Sequence, residues 1–296
     1  MLPPYMPLER IPAMARRAEN LGFDLLACGE HVFFHVPAPN AFVALAAAAG
    51  ATDRIRLLSA VTLLPTYPAA LAAKMAATLD GVSGGRFELG IGVGGEYAPE
   101  LLACGVDPSE RGARTNEALK VMAHLFTGEP LTYEGRFARY EDVRLSPTPV
   151  QRPGPPIWVG GRKPVSLRRA AKYADIWMPY LTTPERLSEG LAAINSHPEL
   201  PSERTVDGAV LCWSAVGSDS AVARRTASQA LGEIYKQDFA GLGRYIPAGT
   251  SAEVAARMQE YGEAGAETVL FAPACPPEEF DVMVQMFAEE VAPLLR

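Results

Sequence analysis

The chain runs Asp24-Leu25-Leu26-Ala27-Cys28-Gly29-Glu30-His31 from a short apolar segment into an acidic residue and a histidine. The apolar residues are typical of a strand buried in a parallel sheet, so Glu30 and His31 follow its carboxyl end. Parallel α/β proteins place their chemistry at that end, because the loops there vary on a fixed scaffold. A carboxylate beside an imidazole can exchange protons near neutral pH. A surface Glu–His pair in a loop is the alternative interpretation.

Apolar strands alternate with helical segments along most of the chain, which is the pattern of strand–helix units repeated around a parallel sheet. A chain of 296 residues has the length expected of one barrel with insertions. We therefore predict an α/β fold, a (β/α)8 TIM barrel with insertions, in a single domain over residues 1–296. A β-hairpin at about residues 130–148 interrupts the alternation.

The first strand of that barrel is nearly absent from the sequence. The later strands are clear, but only Met1 and Leu2 precede Pro3 where the first strand is expected. Either this strand is truncated or the native start lies upstream. An incomplete barrel would expose the edges of its neighbouring strands.

Composition narrows the class of protein. The net charge of −7 argues against nucleic acid or an anionic membrane as a partner. The sequence has no apolar run long enough to span a membrane and no signal peptide, which favours a cytoplasmic enzyme. Its four cysteines are far apart, and no metal-ligand spacing is present, so we expect neither a disulfide framework nor a metal site.

Two glycine-rich segments follow predicted strands. Gly90 to Gly95 lets the backbone approach a flat ligand or a phosphate, but its spacing is not the dinucleotide-binding fingerprint. Trp158 to Ser166 passes through two glycines into a helix start beside two cations, which indicates an anion site. A tight turn with solvated basic residues is the alternative. No strong nucleophile is evident, so the chemistry is expected to be a cofactor's.

Together these segments resemble the bacterial luciferase-like flavin oxidoreductases, which include FMN monooxygenases and enzymes of the deazaflavin coenzyme F420. The resemblance runs from Leu2 to about Pro179 and weakens after that. It implies a barrel with the flavin ring at its mouth, usually assembled as a dimer. Its motifs are Leu21-Gly22-Phe23-Asp24 before Glu30-His31, Asp53 to Leu57, Lys74 to Arg86, Gly90 to Gly95, Glu110 to Thr115, and Pro147 to Gly161.

The resemblance also implies roles for individual residues. His31 matches the active-site histidine, a general base or a hydrogen-bond donor beside the flavin, and Glu30 matches the acidic position next to it, able to orient the imidazole or tune its basicity. The Ala60–Val61 peptide matches a non-prolyl cis peptide that lies against the flavin ring. The implied cofactor site comprises Ala60, Val61, Thr62, Gly92, Gly94, Gly95, Arg111, Gly160, Gly161, Arg162 and Ser166.

We expect the substrate pocket to be apolar and aromatic. The candidates for its lining are Phe33, Phe34, Leu64, Tyr67, Tyr97, Trp177 and Trp213. Most aromatic residues of a barrel lie in its core, so only about half of these are expected to line the pocket.

The predicted function is an FMN- or F420-dependent oxidoreductase that acts on a small organic substrate. With reduced FMN the reaction would be oxygenation, and a separate flavin reductase would be an expected partner. With F420 the reaction would be hydride transfer. His31 would move the proton in either case.

The alternative is a non-catalytic flavin-binding protein or subunit of the same fold, against which His31 and the Gly160 turn argue. The resemblance also implies a homodimer.

Overall fold

The structure, a computed structural model, describes residues 1–295. Short parallel strands form its centre, and most are followed by a helix. The strands are β1 (Leu25–Cys28), β2 (Arg56–Ser59), β3 (Thr62–Leu63), β4 (Phe87–Gly92), β5 (Leu131–Glu134), β6 (Arg139–Val143), β7 (Ile157–Gly160), β8 (Ile176–Met178), β9 (Asp207–Val216), β10 (Ala248–Gly249) and β11 (Ala266–Pro273).

The helices that separate the strands carry small and aliphatic residues on their inner faces. They are α1 (Ile11–Asn20), α2 (Ala41–Ala49), α3 (Ala69–Val82), α4 (Ala98–Ala103), α5 (Arg111–Thr127), α6 (Pro164–Tyr173), α7 (Pro184–Asn195), α8 (Ser220–Tyr235), α9 (Ser251–Glu263) and α10 (Phe280–Met286). No helix within residues 1–295 is both long and apolar enough to cross a membrane.

The central sheet follows the order β1, β2, β4, β7, β8, β9, and β11 pairs with β9. Every pair in this sheet is parallel, as in the register Leu26–Leu57 between β1 and β2. The two ends of the sheet, β1 and β11, approach each other at Met1 and Leu2. The predicted α/β barrel fold is confirmed. β5 and β6 form a separate antiparallel hairpin.

Met1 and Leu2 lie between β1 and β11 where the first strand of the barrel is expected. The Met1 amino group donates to the carbonyl of Phe271 (2.7 Å), and the Leu2 N–H donates to the carbonyl of Ala27 (2.8 Å). No strand is assigned to residues 1–24, so the expectation that the first strand is nearly absent from these residues is confirmed.

The apolar residues 55–64 of the sequence predict one continuous buried strand, but the structure divides this segment into β2 and β3. The Ala60 N–H still donates to the carbonyl of Cys28, at 2.7 Å, and the chain then pairs with β4 through Thr62 and Ile91. The prediction of one strand is wrong because the backbone leaves the ladder at Ala60 and Val61. The Ala60–Val61 peptide is cis, as the resemblance implied.

Candidate active site

A cavity of about 410 Å³ opens at the carboxyl ends of β1, β4, β7 and β8. The loops after these strands line it, so segments that are far apart in the sequence meet there. It is lined by the predicted site residues Glu30, His31, Ala60, Val61, Gly92, Gly94, Gly95, Arg111, Gly160, Gly161, Arg162 and Ser166. Thr62 does not line the cavity, because its side chain is fully buried within the protein.

The imidazole of His31 is held at one ring nitrogen. Its Nδ1 lies 3.1 and 3.2 Å from the two carboxylate oxygens of Glu100, and its ring stacks on Phe34 with centroids 4.0 Å apart. An ionised carboxylate only accepts hydrogen bonds, so the neutral ring carries its proton on Nδ1 and a lone pair on Nε2. Within residues 1–295, Nε2 makes no hydrogen bond. His31 can therefore exchange a proton with a molecule in the cavity.

Glu100 orients His31, and the sequence did not point to it. This residue is fully buried in α4, and its Oε1 also accepts the N–H groups of Val32 (2.6 Å) and Phe33 (3.2 Å). The carboxylate thus fixes both the loop after β1 and the ring of His31. The available signal was an acidic residue in the first turn of a helix after a glycine-rich loop. That signal does not reveal a partner 69 residues earlier in the chain.

The expectation that Glu30 orients His31 is wrong. The Glu30 carboxylate accepts the backbone N–H groups of Leu63 (2.8 Å) and Ala41 (3.1 Å), and also the hydroxyl of Tyr67 (3.0 Å). Burial raises the pKa of Glu30, and these hydrogen bonds oppose the rise. Glu30 therefore ties β3 to the start of α2 beneath the cavity.

The turn after β7 has the form of an anion site. Gly161 has φ of +99°, and a Cβ there would lie 2.6 Å from the Ser166 hydroxyl oxygen, so only glycine fits. The indole N–H of Trp177 donates to the Gly161 carbonyl at 2.9 Å and holds the turn. Helix α6 starts at Pro164 without a side-chain cap, so its N-terminal dipole is open to the cavity.

Arg111, at the start of α5, adds a cation to the lining of the cavity. Its Nε is buried and has no hydrogen-bond partner within residues 1–295, while another nitrogen of the guanidinium donates to the Pro108 carbonyl. A Cβ at Gly95 would lie 3.2 Å from this Nε, so the glycine leaves space beside it. A buried N–H without an acceptor is costly, and an anionic or carbonyl group of a ligand would satisfy it.

Arg162 lines the cavity but is engaged with the protein. Its guanidinium donates to the carbonyl of Leu181 and lies 5.0 Å from the ring centroid of Tyr180. Lys163 also lines the cavity, and its side chain is exposed. The positive charge predicted for this turn is present, although Arg162 would have to release Leu181 before contacting a phosphate directly.

Aromatic side chains form part of the cavity lining. Of the predicted pocket residues, Phe34 and Trp213 line it, which is fewer than expected. Tyr180 and Tyr235 were not predicted, and Tyr235 packs edge-on against Trp213 with centroids 6.3 Å apart. Burial raises the pKa of both tyrosines, so they remain neutral hydroxyls. The Tyr180 hydroxyl donates to Glu96 at the rim.

Five predicted pocket residues lie elsewhere, so their assignment is wrong. The Phe33 side chain is 53% exposed, Leu64 and Trp177 are buried, Tyr67 binds Glu30, and Tyr97 packs against His35. Along a strand, successive side chains point alternately to the core and to the cavity. The sequence does not show which residues take which direction.

Residues 2–268 of the chain match the luciferase-like monooxygenase family. Curated relatives include uncharacterized proteins of Mycobacterium tuberculosis and Mycobacterium bovis, 34% identical over 158 residues. That match covers 53% of this chain and 54% of each relative, so the chain spans about half the length of the curated relatives it matches.

Solved structures share the fold over nearly the whole chain. The monooxygenase RslO1 from Streptomyces bottropensis is 26% identical, with a TM-score of 0.81 over 97% of this chain and 93% of that one. An F420-dependent secondary alcohol dehydrogenase bound to an F420–acetone adduct is 21% identical, with a TM-score of 0.82 over 99% and 96% of the two chains. The FMN complex of the oxygenating constituent of 3,6-diketocamphane monooxygenase, from Pseudomonas putida, is also 21% identical, with a TM-score of 0.77 over 98% and 95%.

The chain belongs to the luciferase-like monooxygenase family.

Proposed function

We propose that this protein is an FMN- or F420-dependent oxidoreductase that acts on a small organic substrate at the mouth of the barrel. The observation that carries the proposal is the His31–Glu100 pair, with Nδ1 of the imidazole 3.1 Å from the carboxylate and the ring lining a 410 Å³ cavity. A carrier of flavin would have no need of a histidine oriented by a buried carboxylate.

The residues around the cavity fit a flavin or deazaflavin. Gly160, Gly161 and Ser166 at the start of α6 would hold the phosphate, because that helix end is uncapped and positive. Arg111 would meet a polar or anionic group of the cofactor through its unpartnered Nε. The cis peptide of Ala60 and Val61 forms part of the wall that the ring would contact.

The cofactor, when bound, supplies either oxygen activation by reduced FMN or hydride transfer with F420. His31 receives or returns the substrate proton at Nε2, while Glu100 keeps the proton on Nδ1 and stabilises the imidazolium. The apolar side chains of Phe34, Tyr235 and Trp213 exclude water from the reacting groups.

The comparisons do not decide between the two cofactors. The structure that is 26% identical to this chain, RslO1, is a monooxygenase. The FMN complex and the F420-dependent dehydrogenase are each 21% identical, and their likeness shows the fold alone. We therefore retain oxygenation with FMN and hydride transfer with F420 as two versions of the proposal. If FMN is the cofactor, a separate flavin reductase would supply it in reduced form.

Fluorescence titration with FMN and with F420, run in parallel, tests the proposal. We expect one cofactor to bind at least ~10-fold more tightly than the other, because only one tail suits the anion site. Reduction of the bound cofactor, followed by its reoxidation with oxygen or a carbonyl substrate, then identifies the reaction class. Tight binding without any reoxidation would support the non-catalytic flavin-binding protein instead, and binding of neither cofactor would refute both.

We also propose that the protein is a cytoplasmic homodimer. Helix α2 contains only apolar residues, and its outer face presents Val43, 68% exposed, together with Ala46 and Ala47. A helix that is apolar on all sides is normally buried, so this face suits contact with a second copy.

A further inference from the structure

The three indole N–H groups of this chain differ in their hydrogen-bond partners. Trp158 donates to the carboxylate of Glu88 (2.6 Å), and Trp177 donates to the carbonyl of Gly161 (2.9 Å). The Nε1 atom of Trp213 is buried and has no hydrogen-bond partner in the part of the chain that the structure describes. A buried N–H without an acceptor is costly, so we expect this group to bind an acceptor that the protein itself does not supply.

Strand β9 directs the Trp213 side chain into the mouth of the barrel. Leu211 and Trp213 both line the cavity of about 410 Å³, whereas Cys212 between them is buried and does not line it. Side chains two residues apart on a strand share one face of the sheet. The indole is therefore part of the cavity wall and does not belong to the packing between the sheet and the helices.

The hydroxyl of Tyr235 lies beside this N–H. Tyr235 ends helix α8, lines the same cavity and packs edge-on against Trp213. Burial raises the pKa of Tyr235, the negative charge of Glu96 adds to the rise, and the nearby indole N–H opposes it. The N–H is close to the hydroxyl oxygen but lacks the alignment of a hydrogen bond. Unlike the Tyr180 hydroxyl, that of Tyr235 donates to no group within residues 1–295, so two free donors lie together.

Charge and valence define what these two donors can bind. Glu96 acts on Tyr235, so a second negative charge at this place would be repelled. A carbonyl oxygen is neutral, has two lone pairs and brings no donor that needs a partner of its own. One carbonyl oxygen can therefore accept from the hydroxyl and from the indole N–H at the same time.

Phe34 connects the donor pair to the residue of proton transfer. Its ring stacks on His31 with centroids 4.0 Å apart, and it meets Tyr235 edge-on with centroids 5.9 Å apart. Because Phe34 contacts both rings, the donor pair and His31 border the same cavity at different points. They would contact different atoms of one bound molecule.

We propose that the Trp213 N–H and the Tyr235 hydroxyl bind a neutral carbonyl oxygen of the substrate, apart from the atom that exchanges a proton with His31. The inference rests on the proposed function, because it names the substrate class of the same cavity. That class is an uncharged organic molecule with a carbonyl group away from its reacting centre. The apolar side chains of Phe34 and Leu211 would cover the rest of the molecule.

Indole ¹H–¹⁵N correlation spectra test the site, because the chain gives only three such signals. The probe is cyclohexanone, methylenecyclohexane replaces its carbonyl oxygen with CH2, and cyclohexanecarboxylate carries a negative charge. We expect cyclohexanone to move the Trp213 signal and to leave in place the signal of Trp158, which is bonded to Glu88. The other two probes should bind at least ~5-fold more weakly, which is the scale of a neutral hydrogen bond.

Single substitutions separate the donors from a general change in the cavity. Tyr235→Phe removes only the hydroxyl and should lower the preference for cyclohexanone over methylenecyclohexane at least ~3-fold. Tyr140→Phe, the same change in the hairpin strand β6 outside the cavity, should keep the original preference. Trp213→Phe assigns the indole signal and should remove the remaining preference for the ketone.

Equal affinity for cyclohexanone and methylenecyclohexane, or an unmoved Trp213 signal, would overturn the proposal. Spectra recorded with FMN or F420 bound add a second test. If the cofactor alone moves the Trp213 signal and abolishes the response to the ketone, the donors belong to the cofactor and the proposal is wrong. A ketone response in a protein that binds neither cofactor would instead refute the proposed function and leave the donor pair in place.

Discussion

Replacement of Glu100 by Gln should reverse the tautomer of His31. In the protein, Oε1 of Glu100 accepts the N–H groups of Val32 and Phe33, which can only donate. The amide oxygen of a glutamine would keep those bonds, so its NH2 group would take the place of Oε2, 3.1 Å from Nδ1 of His31. Two donors would face each other at this contact, and the amide oxygen, 3.2 Å from Nδ1, already accepts two backbone N–H groups, so we expect Nδ1 to become the acceptor.

The size of the effect follows from the bond that is lost. A hydrogen bond to a charged group contributes about 1.5–3 kcal/mol, which corresponds to roughly a 10- to 100-fold shift between tautomers. The lone pair of Nε2 would then be present only in the minor form. We expect turnover of the Glu100→Gln variant to fall by about the same factor, with cofactor affinity nearly unchanged.

Long-range ¹H–¹⁵N correlation spectra of ¹⁵N-histidine-labelled protein, recorded at alkaline pH, report the tautomer directly and need no substrate. Glu117→Gln is the matched control, because Glu117, like Glu100, accepts backbone N–H groups, three of them in the hairpin turn at residues 136–138. The Glu100→Gln spectrum should show the proton on Nε2 of His31, and the control should keep it on Nδ1. An unchanged tautomer in Glu100→Gln would refute the orienting role of Glu100.

Three further predictions concern the anion site, the dimer and the amino terminus. Gly161→Ala should weaken cofactor binding at least ~10-fold in a titration, because φ is +99° and the added Cβ would lie 2.6 Å from the Ser166 hydroxyl oxygen. The control is Gly84→Ala, where φ is +66° and the added Cβ meets no atom within 4 Å, and it should leave cofactor affinity unchanged. Val43→Glu on α2 should convert a dimer to a monomer in sedimentation, whereas Val222→Glu, on exposed α8, should leave the mass unchanged. Burial lowers the pKa of the Met1 amino group from 8.0 to about 5, so between these values the unfolded chain binds more protons and stability rises with pH. Urea unfolding should show this rise, on the order of 1–4 kcal/mol, and Nα-acetylation should abolish it.

Features encoded locally were predictable from the sequence. The apolar segments at Leu25 and Trp158 are strands, and the glycines that follow allow close approach of the backbone at Gly161. In these places the side-chain type, the backbone conformation and the position after a strand are set by adjacent residues. The cis peptide at Ala60 was anticipated only through the resemblance, since neither residue of the bond requires it.

Features that depend on distant contacts were not predictable. The pairing of His31 with Glu100 joins the loop after β1 to helix α4, 69 residues apart in the chain. Glu30, although adjacent to His31, accepts hydrogen bonds from Leu63 and Ala41. Neighbouring residues after a strand point in different directions, and tertiary packing decides which one faces the cavity. For the same reason, the sequence did not show that the Trp177 side chain points into the core and not into the cavity.

The most direct test of the account is a crystal structure with FMN or F420 bound. We predict that the ring lies against Ala60 and Val61, within reach of His31 Nε2, and that the phosphate lies at Gly160, Gly161 and Ser166. A ring bound away from His31, or a phosphate outside the turn after β7, would contradict it.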